Sequence, residues 1–573
     1  MRWMKSTALI VLTLVVLLAI QSLVGANTQS DYNADTLIFP HDQVVEVNIR
    51  MAPEDLDDLN LNAMNETVYM ADITYNGVSI ESVGIRAKGN SSLKSVANSV
   101  SDRYSFKLDF DEYIDEQSFL GLEKLNLNNL FSDPSMMAEY LSYEALDSIG
   151  ADVARTTYVN LTINGELQGL YLAVEEVDEA FVINHYGNAN GELYKPEMGG
   201  GADLSVSDDY SGIVDEFGSD DLSHFETLVE AIEAGDVSEI MNTDSFLKYL
   251  AVSSMMIHFD AYQGGMFHNY YLYYNDGAFE WISWDLNMTF NGFPMSGLTD
   301  EEAIKVYIDE PVIGDMSQYP LVETVLSDDE NLSKYHDYLS MLMNDYLNDD
   351  IFEQRVLEVY TMIKSYVSLD PTSFYSYEEF DQAIFGSDSI IDFMKARNEN
   401  VAMQLSGQIE SSNNGQGNGG SGGMRKPGDG QVQGGQKDGP MNQAPDMTLL
   451  VEIIGRDKID SDILKLIEAG EQVPRETMKS LMDQLTQDQR AQLIGGQDPM
   501  MGDQQTRNVE GPGQELQGPG GEMQVPDREM QGQKTLEADM EVADSLQRDS
   551  IILAGLFSII LVAMSFVLMK HRR

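Results

Sequence analysis

The sequence predicts an α+β body in two lobes, β-rich first and helical second, followed by a small helical module, flexible linkers and a C-terminal transmembrane helix. Three observations predict it. Short runs that alternate polar and apolar residues occur early, in "VVEVNIR", "VYMADITY" and "VSIESVGIRAKG", the period of half-buried strands. After about residue 218 apolar residues recur mostly at helical spacing. Near the end, "IILAGLFSIILVAMSFVLM", Ile551 to Met569, is a largely apolar run without a charge that as a helix reaches roughly 28 Å, the thickness of a hydrocarbon core.

In chain order, residues 1–26 carry the basic start (Arg2, Lys5), apolar centre and small-residue exit of a secretory signal. The body is expected over 41–406, its β-rich lobe about 41–178 and its helical lobe about 179–406. Asn76-Gly77 and Asn164-Gly165 each separate two alternating runs, the composition of tight hairpin turns. Between them "PSMMAEYLSYEALDSI", 134–149, has helical spacing, and "DSFLKYLAVSSMMIHF" predicts a helix ending near Asp260. Residues 407–446, rich in Gly, Asn and Gln, hold too little apolar surface to offset chain entropy and are expected to be a flexible linker. Helical spacing returns over 447–495, with Pro474 near the start of one helix and Gly495 near its end. A second linker, 496–550, leads to the apolar span 551–569 and the basic tail 570–573. Basic residues after the span and acidic ones before it place the tail in the cytoplasm and the body outside, as a single-pass cell-membrane protein.

Charge and cysteine count narrow the chemistry. Thirty-four Lys and Arg against 95 Asp and Glu leave a net charge of −61, which argues against nucleic acid as a partner and fits a salt-tolerant surface or cationic ligands. Having no cysteine, the chain cannot form disulfides or thiolate-bound metal and heme centres.

The densest chemistry lies in "HFDAYQGGMFHNYYLYYNDGAFEWISWDLN", His258 to Asn287. "HNYYLYY" and "AFEWISW" flank Asn275-Asp276-Gly277 as two aromatic strands about a hairpin turn. Centring that turn on Asp276 sets Asn269 opposite Ser283 and Phe267 opposite Asp285, so Asn269 and Asp285 become diagonal neighbours about 5–8 Å apart. One carboxylate and one amide oxygen are hard ligands suited to Mg²⁺ or Mn²⁺, which completes its shell with phosphate and water. Asp260, reaching the hairpin through the Gly264-Gly265 turn, is placed to face the same cleft. An ordinary turn-forming role for these residues, or a zinc or iron site made by His258, His268 and Asp260, are the alternatives.

Several ordered pieces carry a resemblance: "VGIRAKGNSS" (83–92), "RYSFKLDF" (103–110), "LNLNNLFSDPSMMAEYLSYEAL" (125–146), "YVNLTINGELQGLYLAVEEVDEAFV" (158–182) and "HNYYLYYNDGAFEWISWDLN" (268–287). Together they resemble the spore-coat-protein-H (CotH) kinase family over roughly 44–400. The resemblance implies an atypical protein-kinase-like fold and ATP-dependent phosphorylation of Ser or Thr in protein substrates. It also implies roles: Lys107 on the α/β-phosphates, Glu139 as its ion-pair partner, and Arg86, Lys88, Gly89 and Asn90 as a loop over the phosphates. Glu175 to Val177 becomes the hinge beside adenine, Asp260 orients the acceptor hydroxyl, and Asn269 and Asp285 hold Mg²⁺ (or Mn²⁺). The chain has no Walker A, His-Arg-Asp or Asp-Phe-Gly motif, and reads Trp-Asp-Leu-Asn where the family often has Trp-Asp-Leu-Asp. A weak or inactive pseudokinase acting as a surface scaffold is therefore the alternative function. A third, calcium binding at acidic stretches such as Glu54 to Asp58, lacks an Asp-x-Asp-x-Asp-Gly loop.

Overall fold

A computed structural model describes residues 34–419 apart from 220, and within the later module residues 447–456, 458–469, 473, 477, 481 and 485. The expected signal 1–26, the second linker and the apolar run 551–569 lie outside the described residues, among which no helix is long and apolar enough to cross a membrane.

The first half builds β1 (Val45–Met51), β2 (Tyr69–Tyr75), β3 (Val78–Lys88), β4 (Ser105–Asp109), β5 (Lys124–Asn128), β6 (Thr156–Ile163) and β7 (Glu166–Glu175). Both expected hairpins form, because Asn76 (φ 48°) and Gly77 (78°), like Asn164 (51°) and Gly165 (88°), adopt the left-handed pairs that suit strand twist. The sheet closes into a barrel in the order β1-β2-β3-β4-β5-β7-β6. Closure comes from a parallel pairing of β6 with β1, Val45 opposite Val159 through Ile49 opposite Ile163, a long-range contact that hairpin signals do not encode. Val47, Ile49, Ile73, Ile85, Leu108, Leu125, Leu127 and Leu161 fill the barrel core. Strand alternation therefore turns Lys88, Lys107, Asn126 and Asn128 outward.

The helix Ala138–Ser148 covers that outer side, sharing a core with Tyr158, Leu170, Leu172 and Val174. It begins four residues later than its periodicity predicts. Asp133 holds the preceding turn, its carboxylate accepting from Ser135 N at 2.9 Å and Ala138 N at 2.8 Å.

A second, antiparallel sheet is made of β8 (Glu192–Pro196), β9 (Ile213–Phe217), β10 (Tyr270–Asn275) and β11 (Ala278–Ser283), ordered β11-β10-β8-β9. The helix Thr243–Met255 packs Phe246, edge-on, and Tyr249, tilted, against Trp281 of β11, each with ring centroids 4.8 Å away. The helices Asp349–Leu369 and Ile390–Leu405 complete this larger core.

The body does not end where composition changes. Residues 411–418, expected to be linker, pack on the 307–316 loop, with Asn418 bridging to Ile313 and Ser411 O accepting from Asp309 N at 2.9 Å. Polar, glycine-rich sequence can be ordered by hydrogen bonds from backbone and side chains, and a count of apolar residues does not register them. In the later module, helices Met447–Ile454 and Ser461–Ala469 gather Leu450, Ile454 and Ile459 into a small core of their own, with Val100 packed against it.

Candidate functional site

The site forms where the outer face of β3, β4 and β5 meets the ends of β10 and β11. The hairpin register differs by one residue from the expectation. Asp276 (φ 51°) and Gly277 (95°) make a two-residue turn, so Asn275 pairs with Ala278 and Tyr270 with Ser283. Asn269 thus lies opposite Trp284, whose amide it accepts at 3.2 Å, and not opposite Ser283. The strict ladder stops there. Asn269 (φ 65°) and Asp285 (53°) both turn left-handed, which frees their side chains from strand alternation and is the kind of backbone strain that collects at functional sites.

Asp260, Asn269 and Asp285 nevertheless converge. Asn269 Nδ2 donates to the backbone carbonyl of Asp260 at 2.6 Å, and His268 Nε2 lies 3.4 Å from Asp260 Oδ1. Burial, and then the nearby charge of Asp285, push the Asp260 carboxyl up to about 7. Asp285 is itself raised by burial, with Lys88 and Lys195 pulling it back. The Asn287 side-chain oxygen is buried without a hydrogen-bond partner. His258 is fully buried and lowered to about 3, by burial and then by His268, so both it and His268, lowered by burial to about 4, are neutral. Among the described residues no group of three or more His, Asp or Glu is placed to hold a metal, the trio His258, His268 and Asp260 included.

The barrel supplies cations. Lys107 on β4 pairs with Glu176 at 2.7 Å, and not with Glu139 as expected. Burial alone would raise Glu176, but Lys107 and Lys88 outweigh it and hold the carboxyl at about 2. Asn126 Nδ2 adds a bond to Glu176 at 2.8 Å. Glu139 instead accepts from Asn128 Nδ2 at 3.0 and 2.9 Å, and the same amide's oxygen accepts from Lys88 Nζ at 3.3 Å. Burial lowers Lys88 to about 8 against the pull of Glu176, while burial and Asp285 raise Glu139 to about 8. Lys88 Nζ also stands 5.4 Å from the Trp284 ring centroid, tying the barrel face to the hairpin.

Three expected placements change. Arg86 and Lys88 lie within β3 rather than in a loop, and Arg86, directly across the ladder from Lys107, pairs with Glu66. Gly89 (φ 114°) makes the turn after the strand, where a Cβ would sit 2.7 Å from Ser92 Oγ, and Asn90 precedes the short helix Ser91–Ala97. Glu175, the expected adenine neighbour, is buried against Arg155 at 2.6 Å, while Val177 belongs to the larger core. Glu176, inside the expected hinge but given no role of its own, is the acid that faces the lysines. Alternation at the end of β7 was the signal for it, since consecutive glutamates there face opposite sides. Lys195 on β8 and the amides of Asn126 and Asn128 had no such local signal.

The fold is thus a barrel and a mixed α+β second half meeting at a buried cluster of lysines and carboxylates, and its sequence has relatives. Residues 85–401, more than half of the chain, match the CotH kinase protein family, and the chain belongs to that family. It is 23% identical over 309 residues to inner spore coat protein H of Bacillus subtilis, covering 51% of this chain and 80% of that one. It is 24% identical over 270 residues to invasin CotH2 of Rhizopus delemar, covering 41% of this chain but only 43% of that relative. Among solved structures it is similar to the Helicobacter pylori proinflammatory kinase CtkA at 13% identity, covering 53% of this chain and 94% of that one, with a TM-score of 0.24, too low to define a shared fold.

Proposed function

We propose that this chain is an atypical protein kinase that transfers the γ-phosphate of ATP to Ser or Thr hydroxyls of surface or secreted proteins, itself included. The observation that carries this reading is electrostatic. In a chain of net charge −61, Lys88 and Lys107 are brought together, largely buried, beside Glu176, Glu139 and Asp285. A polyphosphate is an anion that would reward such an arrangement, and phosphoryl transfer depends mainly on positioning and charge stabilisation.

In this reading Lys107, braced by Glu176, and Lys88 bind the phosphates, and Asp260, poised near neutrality, orients the acceptor hydroxyl and takes its proton. Asp285, with the amide oxygens of Asn269 and the orphaned Asn287, fits a hard divalent cation, since carboxylate and amide oxygens are hard donors and the buried Asn287 oxygen otherwise goes unpartnered. Mg²⁺ or Mn²⁺, when bound there, would neutralise charge on the phosphates. The proposed setting is the outer face of a cell membrane, supported by the signal-like 1–26, the apolar run 551–569 and the basic tail.

Incubation of the purified chain with labelled ATP and Mg²⁺ or Mn²⁺ tests this. Transfer should be seen with wild type and fall by about 100-fold or more in Asp285→Ala and Lys107→Ala, as expected when a principal charge-stabilising group is lost. Mg-ATP should also raise Tm by binding only the native state. Stabilisation without transfer would replace the kinase by a nucleotide-binding scaffold, and neither effect would refute both.

A further inference from the structure

The start of the presumed linker holds the loop that carries Asp260. Glu310 is buried, 6% exposed, and its carboxylate oxygens accept the backbone amides of Gly415 at 2.7 Å and Gly417 at 2.9 Å. Asn418, equally buried, donates to the carbonyl of Glu310 at 2.6 Å and accepts from the amide of Tyr307 at 2.9 Å. Gly417 (φ 56°) fits only without a side chain, because a Cβ would overlap the carbonyl of Gly314. A buried carboxylate satisfied by backbone amides is a specific lock, since losing the strap would leave it uncompensated.

The lock reaches the site in two further steps. Ile313 N, in the same loop, donates to the carbonyl of Gln263 at 3.1 Å. Gln263 is buried, accepts the Tyr249 hydroxyl, and donates through Nε2 to the carbonyl of His258 at 2.5 Å. Asp260 therefore sits inside a loop whose two sides are fastened by Gln263, and Gln263 is fastened to the loop that the strap clamps.

We propose that residues 411–418 are a strap, and Glu310 a positioning residue, that together hold the Asp260 loop in its working geometry. This rests on the phosphoryl-transfer reading for its effect on rate, but not for its effect on structure.

The test uses the full chain, comparing wild type with Glu310→Gln and Asn418→Ala, and with an internal deletion of 411–418. Amide exchange across 258–265 should rise about tenfold or more in each variant while the β10–β11 hairpin stays protected. A synthetic 407–419 peptide added to the deletion should restore protection. Where transfer is measurable, kcat should fall about fivefold or more with KM for ATP unchanged, because the lysines that hold the nucleotide are untouched. Unchanged exchange across 258–265 in a variant whose 411–418 amides exchange freely would overturn the proposal. Absence of transfer in wild type would refute the kinase reading and leave the exchange result to decide the strap.

Discussion

Glu176 shows how one side chain sets the state of its neighbours. Its folded pKa, about 2, lies below its ordinary 4.5, so the pair with Lys107 contributes fully above about pH 4.5 and is lost as pH falls toward 2. Glu176→Gln leaves two largely buried lysines without their shared carboxylate and should destabilise by about 2–4 kcal/mol at pH 7. Denaturant titrations should show the difference shrinking at about pH 3.5. Asp260 carries the opposite sign. Its carboxyl is raised to about 7 from an ordinary 3.8, so its protonated form favours folding at low pH and that contribution is lost as pH rises through this window. Asp260→Asn, measured without nucleotide or added metal, should therefore raise Tm by a few degrees at about pH 8 and by little at about pH 4, while abolishing transfer. A variant that gains stability as it loses function would mark Asp260 as a group retained for chemistry.

At the level of elements, one buried ion pair fastens the barrel to the helical half. Arg103 NH1 meets Asp370 Oδ2 at 2.9 Å with both side chains essentially excluded from solvent. The same guanidinium bonds the carbonyls of Asn129 and Gln168, each at 3.0 Å, and Asp370 accepts the amide of Leu170 at 2.8 Å. Gly169 (φ 103°) is required there because a Cβ would overlap the Asp370 carboxylate. Asp370→Ala should cost about 3–5 kcal/mol in a denaturant titration, since it strands a buried guanidinium. The hairpin teaches a related lesson about legibility. Its existence, its aromatic strands and the convergence of Asp260, Asn269 and Asp285 were all readable, yet a one-residue error in the turn misplaced each cross-strand partner. Asn269 and Asp285 lie beyond the regular ladder in left-handed backbone, where strand alternation no longer sets side-chain direction.

On the scale of the whole molecule, a net charge of −61 makes self-repulsion a general opponent of folding. Raising NaCl from about 10 mM to about 500 mM shortens the screening length from about 30 Å to a few ångströms and should raise Tm, a trend that calorimetry would read directly. The acidity also sharpens the meaning of the lysine cluster, because in a chain with 34 basic residues against 95 acidic ones two largely buried lysines meet at one cleft.

By itself the sequence determined what is local: the hairpins at Asn76-Gly77 and Asn164-Gly165, the existence of the aromatic hairpin about Asn275-Asp276-Gly277 but not its register, the α+β division, the charge, and the family, since these rest on turn chemistry, periodicity and ordered short pieces. Only the tertiary structure decided what depends on contacts between distant residues. Parallel pairing of β6 with β1 closed the barrel, its outward face brought Lys88 beside Lys107 and gave Lys107 to Glu176 instead of Glu139, and backbone amides 105 and 107 residues downstream claimed Glu310. Each partner choice is a competition among buried charges and backbone donors, and no one-dimensional pattern records which of them wins.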